Sequence, residues 1–157
     1  MIRLIAAIDS RRGIATDSGI PWSLAGDTNY FREQTKSGLI VMGRGTYDEF
    51  ANPLHGKDNY VLTRAKDPFR DGFRSVESVD ALRAAHPYED IWVIGGALVY
   101  AETVRGADEL LITQVSGDFH CTKFFPPYRD QFKLVSTGDD QHDGPISYRF
   151  ETWGPAD

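Results

Sequence analysis

The sequence predicts an α/β fold, with a largely parallel sheet and an antiparallel edge at its C-terminal end. Short apolar segments alternate with amphipathic segments along most of the chain, a pattern typical of parallel strands joined by helices. The last two apolar segments have no clear helix between them, which predicts an antiparallel pair. The length of 157 residues is that of one domain, 1–157, with room for a sizeable core.

The N-terminal half begins with a buried strand at 4–8. A long mobile loop is expected over 9–24, where glycine and arginine occur with little periodicity. A helix is predicted around 26–36, because Asp27 suits its first turn, Lys36 its last turn and Gly38 the residue after its end. The elements expected next are a strand at 39–42, a short helix from about Thr46, and strands at 59–63 and 73–76.

The C-terminal half contains the most hydrophobic predicted strand, 91–94, which ends at Gly95-Gly96 and leads into a helix. A helix at 79–86 precedes it, and strands at 110–115, 132–137 and 147–153 follow it. The sequence shows no repeat, linker or low-complexity segment, which favours a single domain.

The charge balance excludes a broadly basic protein. Seventeen Lys and Arg against 23 Asp and Glu give a net charge of −6, so no nucleic-acid partner and no anionic membrane surface is expected. A pocket for a small anionic ligand is compatible with this balance, because such a pocket needs only two or three cations in the right places.

Cysteine, histidine and hydropathy patterns favour a cytoplasmic protein without a metal site. Cys121 is the single cysteine, so no intrachain disulfide can form, and the four histidines lack zinc-ligand spacing. The apolar start of the chain is too short for a signal peptide. No apolar stretch approaches the roughly 18 residues of a membrane span.

Two glycine-containing turns, 43–46 and 95–97, each follow a buried strand and begin a helix. Free N–H groups and the positive dipole end at a helix start attract an oxyanion, and glycine lets the backbone approach it closely. Two such turns suit the pyrophosphate of a dinucleotide, although glycine at these corners also occurs for simple packing. Neither turn is a G-x-G-x-x-G motif, so a Rossmann fold is disfavoured.

Thr63-Arg64, at the end of the third predicted strand, offers a hydroxyl and a guanidinium to a further phosphate. The alternative is a solvated charge at a strand end, and the residues alone do not decide between the two.

Asp27 follows the loop by a few residues and shares a helix face with Phe31. Apolar walls formed by Trp22, Phe31 and Ile5 would desolvate this carboxyl group and raise its pKa, which suits proton transfer to a heterocycle. An aspartate in a first helical turn is commonly a cap or a dipole partner, and spacing alone favours that role.

The motifs taken together resemble those of bacterial dihydrofolate reductases, in order and near-family spacing over essentially the whole chain. They are Leu4-Ile5-Ala6-Ala7, Ile20-Pro21-Trp22, Asp27 with Phe31, Met42-Gly43-Arg44-x-Thr46, Pro53-Leu54-x-Gly56, Leu62-Thr63-Arg64, Val93-Ile94-Gly95-Gly96 with Tyr100, Thr113, and Phe124-Phe125-Pro126. The resemblance implies an eight-stranded, mainly parallel sheet with helices on both faces. It also implies a monomer that reduces dihydrofolate to tetrahydrofolate with NADPH and binds antifolates.

The resemblance also implies residue roles. Asp27 would hydrogen-bond the pterin and promote its protonation, Thr113 would support that network, and Trp22 would anchor the loop that closes over the site. Residues implied around the substrate are Ile5, Ala6, Asp27, Phe31, Phe50, Leu54, Lys57, Ile94, Tyr100 and Thr113. Those implied around NADPH are Ala7, Ile14, Gly43, Arg44, Gly45, Thr46, Leu62, Thr63, Arg64, Gly95, Gly96, Ala97, Leu98, Val99 and Tyr100, with Thr63 and Arg64 on the 2′-phosphate.

The chain departs from the family pattern at a few positions. Lys57 stands where the family has an arginine for the glutamate tail of folate, and Thr122 stands where it has an aspartate that braces the active-site loop. A lysine lacks the bidentate fork of arginine, and a threonine lacks the charge of the aspartate. Thr28 and Phe50 replace commonly aliphatic pocket residues, so antifolate sensitivity does not carry over.

Two alternative functions remain open at this level. One is a reductase of the same fold that acts on a ribosylated pyrimidine in riboflavin synthesis, which Lys57 keeps open and Asp27 behind Pro21-Trp22 disfavours. The other is a non-catalytic paralogue that binds a pyridine dinucleotide, which the presence of the proton-handling residues disfavours.

Overall fold

The structure is a computed structural model that describes residues 1–66 and 68–156. The described chain forms one main sheet, a two-stranded ribbon and four α-helices. The strands are β1 (Ile2–Ile8), β2 (Gly13–Ala15), β3 (Leu39–Met42), β4 (Asn59–Leu62), β5 (Phe73–Val76), β6 (Ile91–Val93), β7 (Glu109–Val115), β8 (Lys123–Phe124), β9 (Phe132–Thr137), β10 (Gln141–Asp143) and β11 (Ile146–Pro155). The helices are α1 (Ala25–Thr35), α2 (Arg44–Glu49), α3 (Val79–Ala85) and α4 (Ala97–Thr103), and short 3-10 turns lie at Leu54–Gly56 and Val104–Gly106.

The main sheet has eight positions in the order β10-β11-β7-β1-β6-β3-β4-β5. All pairs from β7 to β5 are parallel, and β11 is antiparallel to β7. The outer edge is shared, since β10 pairs with the start of β11 and β9 with its end. The predicted parallel sheet with an antiparallel C-terminal edge is therefore confirmed.

The central strands are buried on both faces, and this explains their unbroken apolar sequences. Leu4 and Val41 contribute to one hydrophobic cluster, while their chain neighbours Ile5 and Ile40 contribute to the cluster on the opposite face. That alternation follows from the two-residue period of a strand. The two faces of the sheet are therefore covered by apolar side chains. Polar residues that bind ligands are expected at the ends of the strands.

The predicted element bounds differ from the observed ones in a few places. The helix expected from about Thr46 begins at Arg44, directly after the glycine that ends the turn. The loop 9–24 contains β2, which pairs with β8 in a ribbon separate from the main sheet, and β10 precedes β11 at the edge. These three strands have two or three residues each, too few for a period of alternation to appear in the sequence.

The carboxyl ends of the parallel strands β1, β3, β6 and β7 lie along the same side of the sheet, because parallel neighbours run in one direction. We call this side the sheet edge of the site. Residues that follow the carboxyl ends of such strands are brought together there, where open α/β sheets bind their ligands. No helix in the described part of the chain is long and apolar enough to cross a membrane.

Candidate active site

The carboxylate of Asp27 lies in the first turn of α1 and is held by Thr113 of β7. The hydroxyl of Thr113 donates a hydrogen bond of 2.7 Å to Asp27 Oδ1. The N-cap of α1 is Leu24, whose side chain makes no cap hydrogen bond, and the first N–H of the helix, that of Ala25, donates 3.1 Å to Asp143 Oδ2. Asp27 is therefore directed across to the sheet and does not cap its own helix.

The surroundings of Asp27 favour its protonated form. Burial raises the pKa of Asp27 above its ordinary value, and the hydrogen bond from Thr113 opposes that shift by stabilising the ionised form. Burial of the phenol raises the pKa of Tyr30 to about 12, and the charges of Asp27 and Glu109 add to that rise. Asp27 therefore lies where a proton is held more tightly than in water, beside a tyrosine that remains neutral.

Apolar residues form a wall next to this carboxyl group. Ile5 is 3% exposed and packs in the same cluster as the partly buried Phe31, Phe50, Leu54 and Ile94. These five side chains come from β1, α1 and the turns around the sheet edge, so they are distant in sequence. They form an apolar surface suited to a flat aromatic ligand.

Tyr100 of α4 is hydrogen-bonded to β1, the strand that also carries the predicted site residues Ala6 and Ala7. The buried hydroxyl of Tyr100 donates 2.6 Å to the carbonyl of Ile5, and burial raises its pKa. Ala6 is buried, and Ala7 is half-buried at the register position opposite Thr113. Because the Tyr100 hydroxyl is already committed to a backbone carbonyl, it fixes β1 against α4 at this point.

Trp22 ends the loop that follows β2, and it packs inside a different cluster from Ile5 and Phe31. Its ring meets Phe119 edge to face at 5.2 Å, and it is 8% exposed. The expectation that Trp22 forms one wall of the Asp27 pocket together with Ile5 and Phe31 is not reproduced by this clustering. Trp22 instead holds the end of the loop against the segment before β8.

Thr122 holds the middle of the same loop with its hydroxyl. Thr122 Oγ1 donates 2.9 Å to Asp17 Oδ1, and the Thr122 N–H donates 2.9 Å to the carbonyl of Ala15. In the family pattern an aspartate stands at the position of Thr122 and braces the loop. In this chain the loop itself supplies the carboxylate, that of Asp17, and Thr122 supplies the hydroxyl. Asp17 was not predicted from the sequence, although its carboxylate provides an acceptor for the Thr122 hydroxyl. Ile14, one residue before Ala15, is half-buried in the ribbon.

Lys57 lies at the C-terminal end of α1. Its ammonium donates to the carbonyl oxygens of Lys36 (3.0 Å) and Gly38 (2.5 Å), which leaves one of its three donors. Burial lowers its pKa. Burial lowers the pKa of His55, and the charges of Lys57 and Arg32 lower it further, so each cation lies near His55. Arg32 was not singled out from the sequence, because a lone arginine on an exposed helix face has no motif.

The two glycine turns meet at the same sheet edge. The N–H of Gly43 donates 2.7 Å to the carbonyl of Gly95, so the starts of α2 and α4 are adjacent. No side chain caps either helix start. Gly95 has φ +129°, a left-handed conformation that favours glycine, and a Cβ there would lie 3.4 Å from Thr46 Oγ1. Backbone donors of both helix starts thus converge on one place, with Thr46 beside them.

The remaining residues of the predicted cofactor set differ in their exposure to solvent. Arg44 is exposed and stacks over Phe69 at 5.3 Å, and Arg64 is exposed at the end of β4. Leu98 is 81% exposed, whereas Val99 is 8% exposed and packs in the core against the turn. The other members of the predicted set lie in the turns and strand ends nearby: Gly45, Leu62, Thr63, Gly96 and Ala97.

The arrangement at this edge can do two things chemically. The glycine turns, with Thr46, Arg44 and the Thr63-Arg64 pair, provide backbone, hydroxyl and guanidinium donors for a ligand with several phosphates. The Asp27–Thr113 pair beside an apolar wall provides a proton donor for a heterocycle.

Sequence comparisons identify one family. A model of the dihydrofolate reductase family matches residues 1–154. The chain is 35% identical over 154 residues to a dihydrofolate reductase of Bacillus subtilis (strain 168), covering 96% of this chain and 92% of that protein. It is 34% identical over 129 residues to a type 3 dihydrofolate reductase of Salmonella typhimurium, covering 82% and 80%.

A solved structure has the same fold. It is a dihydrofolate reductase from Enterococcus faecalis complexed with NADP(H) and RAB-propyl, with a TM-score of 0.87 and 25% sequence identity. The match covers 100% of this chain and 97% of that one.

Proposed function

Because the chain belongs to the dihydrofolate reductase family, whose members reduce dihydrofolate to tetrahydrofolate with NADPH, we propose that the Asp27 pocket is where this chain carries out that reduction. The observation that carries the proposal is the hydrogen bond from Thr113 to a carboxyl group of raised pKa beside an apolar wall. The riboflavin-pathway reductase and the non-catalytic paralogue gain no support from these relatives.

Asp27 binds and protonates the substrate in this proposal. Its carboxylate accepts hydrogen bonds from the amino group and ring nitrogen of the pterin, and Thr113 keeps the carboxylate oriented through its hydroxyl. Burial raises the pKa of Asp27, which favours its protonated form relative to a free aspartate and suits it to promote protonation next to the carbon that receives hydride. Ile5, Phe31 and Leu54 hold the rings in place and exclude water from the reacting atoms.

The residues at the glycine turns fit a dinucleotide cofactor. Two adjacent helix starts without side-chain caps offer free N–H groups to a pyrophosphate, and Thr46 and Arg44 add a hydroxyl and a charge. Bound NADPH supplies the hydride. Thr63 and Arg64 bind its 2′-phosphate, which distinguishes NADPH from NADH.

The tail of the substrate lies toward the C-terminal end of α1. The Lys57 ammonium has one donor left for a carboxylate. Arg32 lies in the same region, because its charge and that of Lys57 both act on His55. Arg32 and Lys57 together supply the positive charge that a single arginine supplies in the family pattern. Antifolates compete for the pterin pocket, where Thr28 and Phe50 alter the wall.

The proposal also assigns a monomer in the cytoplasm, without nucleic-acid or membrane partners. The net charge of −6 opposes nucleic-acid binding. Sedimentation velocity tests the assembly state, and a concentration-dependent dimer would contradict it.

The reaction is tested by mixing purified protein, NADPH and dihydrofolate and following the loss of reduced-nicotinamide absorbance. We expect turnover by the wild type and a loss of at least 100-fold in Asp27→Asn, the scale of a missing general acid. Asp139→Asn removes an exposed aspartate and serves as the matched control. No turnover by the wild type would overturn the function, and full turnover by Asp27→Asn would overturn the role of Asp27.

A further inference from the structure

A cavity of about 740 Å³ lies outside the proposed active site. Its walls are formed by the turn 9–12, by Gln114 and Phe124, and by the segment 127–131. We call it the arginine cavity, because Arg11, Arg12 and Arg129 line it. Its volume is in the range of small-molecule sites, and none of its wall residues belongs to the proposed substrate or cofactor sets.

The walls of the arginine cavity are positively charged in an acidic protein. Three guanidinium groups face two carboxylates, those of Asp9 and Asp130. Asp9 is 1% exposed, and its oxygens accept N–H bonds from the backbone of Arg11, Gly13 and Phe119, which holds its pKa below the ordinary value. The charge of Asp9 is thus largely satisfied by the backbone, and the cavity retains an excess of cationic donors.

The guanidinium groups have donors to spare. Arg12 uses Nη1 on the carbonyl of Phe125 at 2.5 Å. Arg129 lies over the ring of Trp153 at 4.9 Å, and such stacking occupies the face of the guanidinium but not its N–H edges. Arg11 is 61% exposed and 3.9 Å from Asp118. A multidentate anion can be bound by such edges.

A buried hydroxyl lies close to two of these arginines. Tyr128 is 1% exposed, and its hydroxyl is enclosed by protein and has no hydrogen-bond acceptor in the described part of the chain. Burial and the charge of Glu151 raise its pKa, whereas the charge and hydrogen bond of Arg129 and the charge of Arg12 oppose that rise. Tyr128 therefore lies near both arginines but is closed to a ligand.

We propose that the arginine cavity binds a small phosphate-bearing molecule. The N–H edges of Arg12 and Arg129 hold the phosphate oxygens. Phe124, which is 36% exposed, offers an apolar surface for the rest of the ligand. Phosphate matches this donor set because its oxygens accept from several planar N–H groups at once.

The position of the cavity connects it to the active-site loop. The N–H of Phe125 donates 2.8 Å to the carbonyl of Arg12, and Gly13 of β2 pairs with Phe124 of β8. The cavity wall is therefore continuous with the ribbon from which the loop 16–24 departs. A bound ligand that joins Arg12 to Arg129 stiffens the base of that loop.

The test is an isothermal titration of pyrophosphate into protein saturated with NADPH, which occupies the phosphate positions of the cofactor site. We expect one binding event, weakened at least tenfold by Arg129→Gln. Arg105→Gln removes an exposed arginine outside the cavity and should bind within twofold of the wild type.

The proposal is overturned if the wild type binds no pyrophosphate, if Arg129→Gln binds as tightly, or if Arg105→Gln loses as much affinity as Arg129→Gln. Amide NMR spectra of each variant establish that it is folded. The dihydrofolate assay on the same samples reports the active site separately, so that a failure of one proposal is not confused with a failure of the other.

Discussion

The hydroxyl of Thr113 and the carboxylate of Asp27 are joined by a hydrogen bond of 2.7 Å across 86 positions of sequence. It connects the first turn of α1 to the middle of β7, so the orientation of Asp27 depends on the position of the sheet and not only on its own helix. The half-buried carboxyl group has a raised pKa, and Thr113 limits that rise. One contact therefore both orients Asp27 and limits the rise that burial causes in its pKa.

Replacing Thr113 by Val should raise the pKa of Asp27 further. The hydroxyl donates to the carboxylate and stabilises its ionised form, so its loss favours the protonated form. A carbon-13 NMR titration of the Asp27 carboxyl group in wild type and Thr113→Val measures the change. Thr113→Ser keeps the hydroxyl and is the matched control. An unchanged or lower pKa in Thr113→Val would contradict the assigned contact.

Replacing Asp27 by Asn should stabilise the fold at neutral pH. The folded protein binds the Asp27 proton more tightly than the unfolded chain, so stability falls as pH rises through the raised folded pKa. Because asparagine cannot ionise, Asp27→Asn should add about 0.5–2 kcal/mol to the free energy of unfolding at pH 7, the range of common stabilising substitutions. The gain should vanish in acid, where both states are protonated. Urea unfolding at pH 7 and in acid measures it, and a gain that is larger in acid would contradict the linkage.

Exchanging the partners across the loop should reveal the role of Thr122. The Thr122 hydroxyl donates to Asp17, so Thr122→Asp places two carboxylates in contact and repels the loop. We expect a single-turnover hydride-transfer rate about threefold to tenfold lower, the scale of a lost contact of about 0.5–1.5 kcal/mol. The double variant Asp17→Thr with Thr122→Asp restores one hydroxyl and one carboxylate and should recover the rate. If the double variant is as slow as Thr122→Asp, the contact is not what braces the loop.

Replacing Lys57 by Arg should lower the Michaelis constant for dihydrofolate. An arginine can keep one bond to the carbonyls at the end of α1 and still offer a fork to the tail carboxylate. A gain of about 1–2 kcal/mol corresponds to a change of about fivefold to thirtyfold. Steady-state kinetics measure it, with the constant for NADPH as the internal control. An unchanged constant for dihydrofolate would count against Lys57 as a tail contact.

Replacing Arg64 by Gln should weaken NADPH and leave NADH unaffected. The exposed guanidinium at the end of β4 has a role only if a 2′-phosphate is present. We expect the Michaelis constant for NADPH to rise by about tenfold, on the order of one charge-assisted hydrogen bond of about 1.5 kcal/mol. Parallel assays with both nucleotides check this. A proportional loss with NADH would indicate that Arg64 supports the fold of the turn instead.

The elements were predictable where the sequence carries a period or a clear boundary. The segments 39–42, 73–76 and 132–137 form strands with the predicted bounds, because their apolar or β-branched residues end at glycine or charged residues. The ribbon of β2 and β8 was not predictable, since its pairing joins short segments more than 100 residues apart. Pairing over that distance leaves no local pattern.

The role of Asp27 shows why a site is harder to predict than a strand. Its spacing in the sequence equally suits a helix cap, and only the position of Thr113 on β7 directs it elsewhere. Asp17 and Arg32 were missed for the same reason, because their partners come from other elements. Trp22 was expected beside Ile5 and Phe31 and packs with Phe119 instead.

The sequence by itself determined the α/β class, the order of most elements and the family, because apolar periodicity, glycine turns and motif order are local properties of the chain. The tertiary structure decided which side chains meet: Asp27 with Thr113, Asp17 with Thr122, and three arginines around one cavity. The physical reason is that hydrogen bonds and electrostatic interactions depend on distances of a few ångströms in space. Those distances exist only once the strands have taken their order in the sheet.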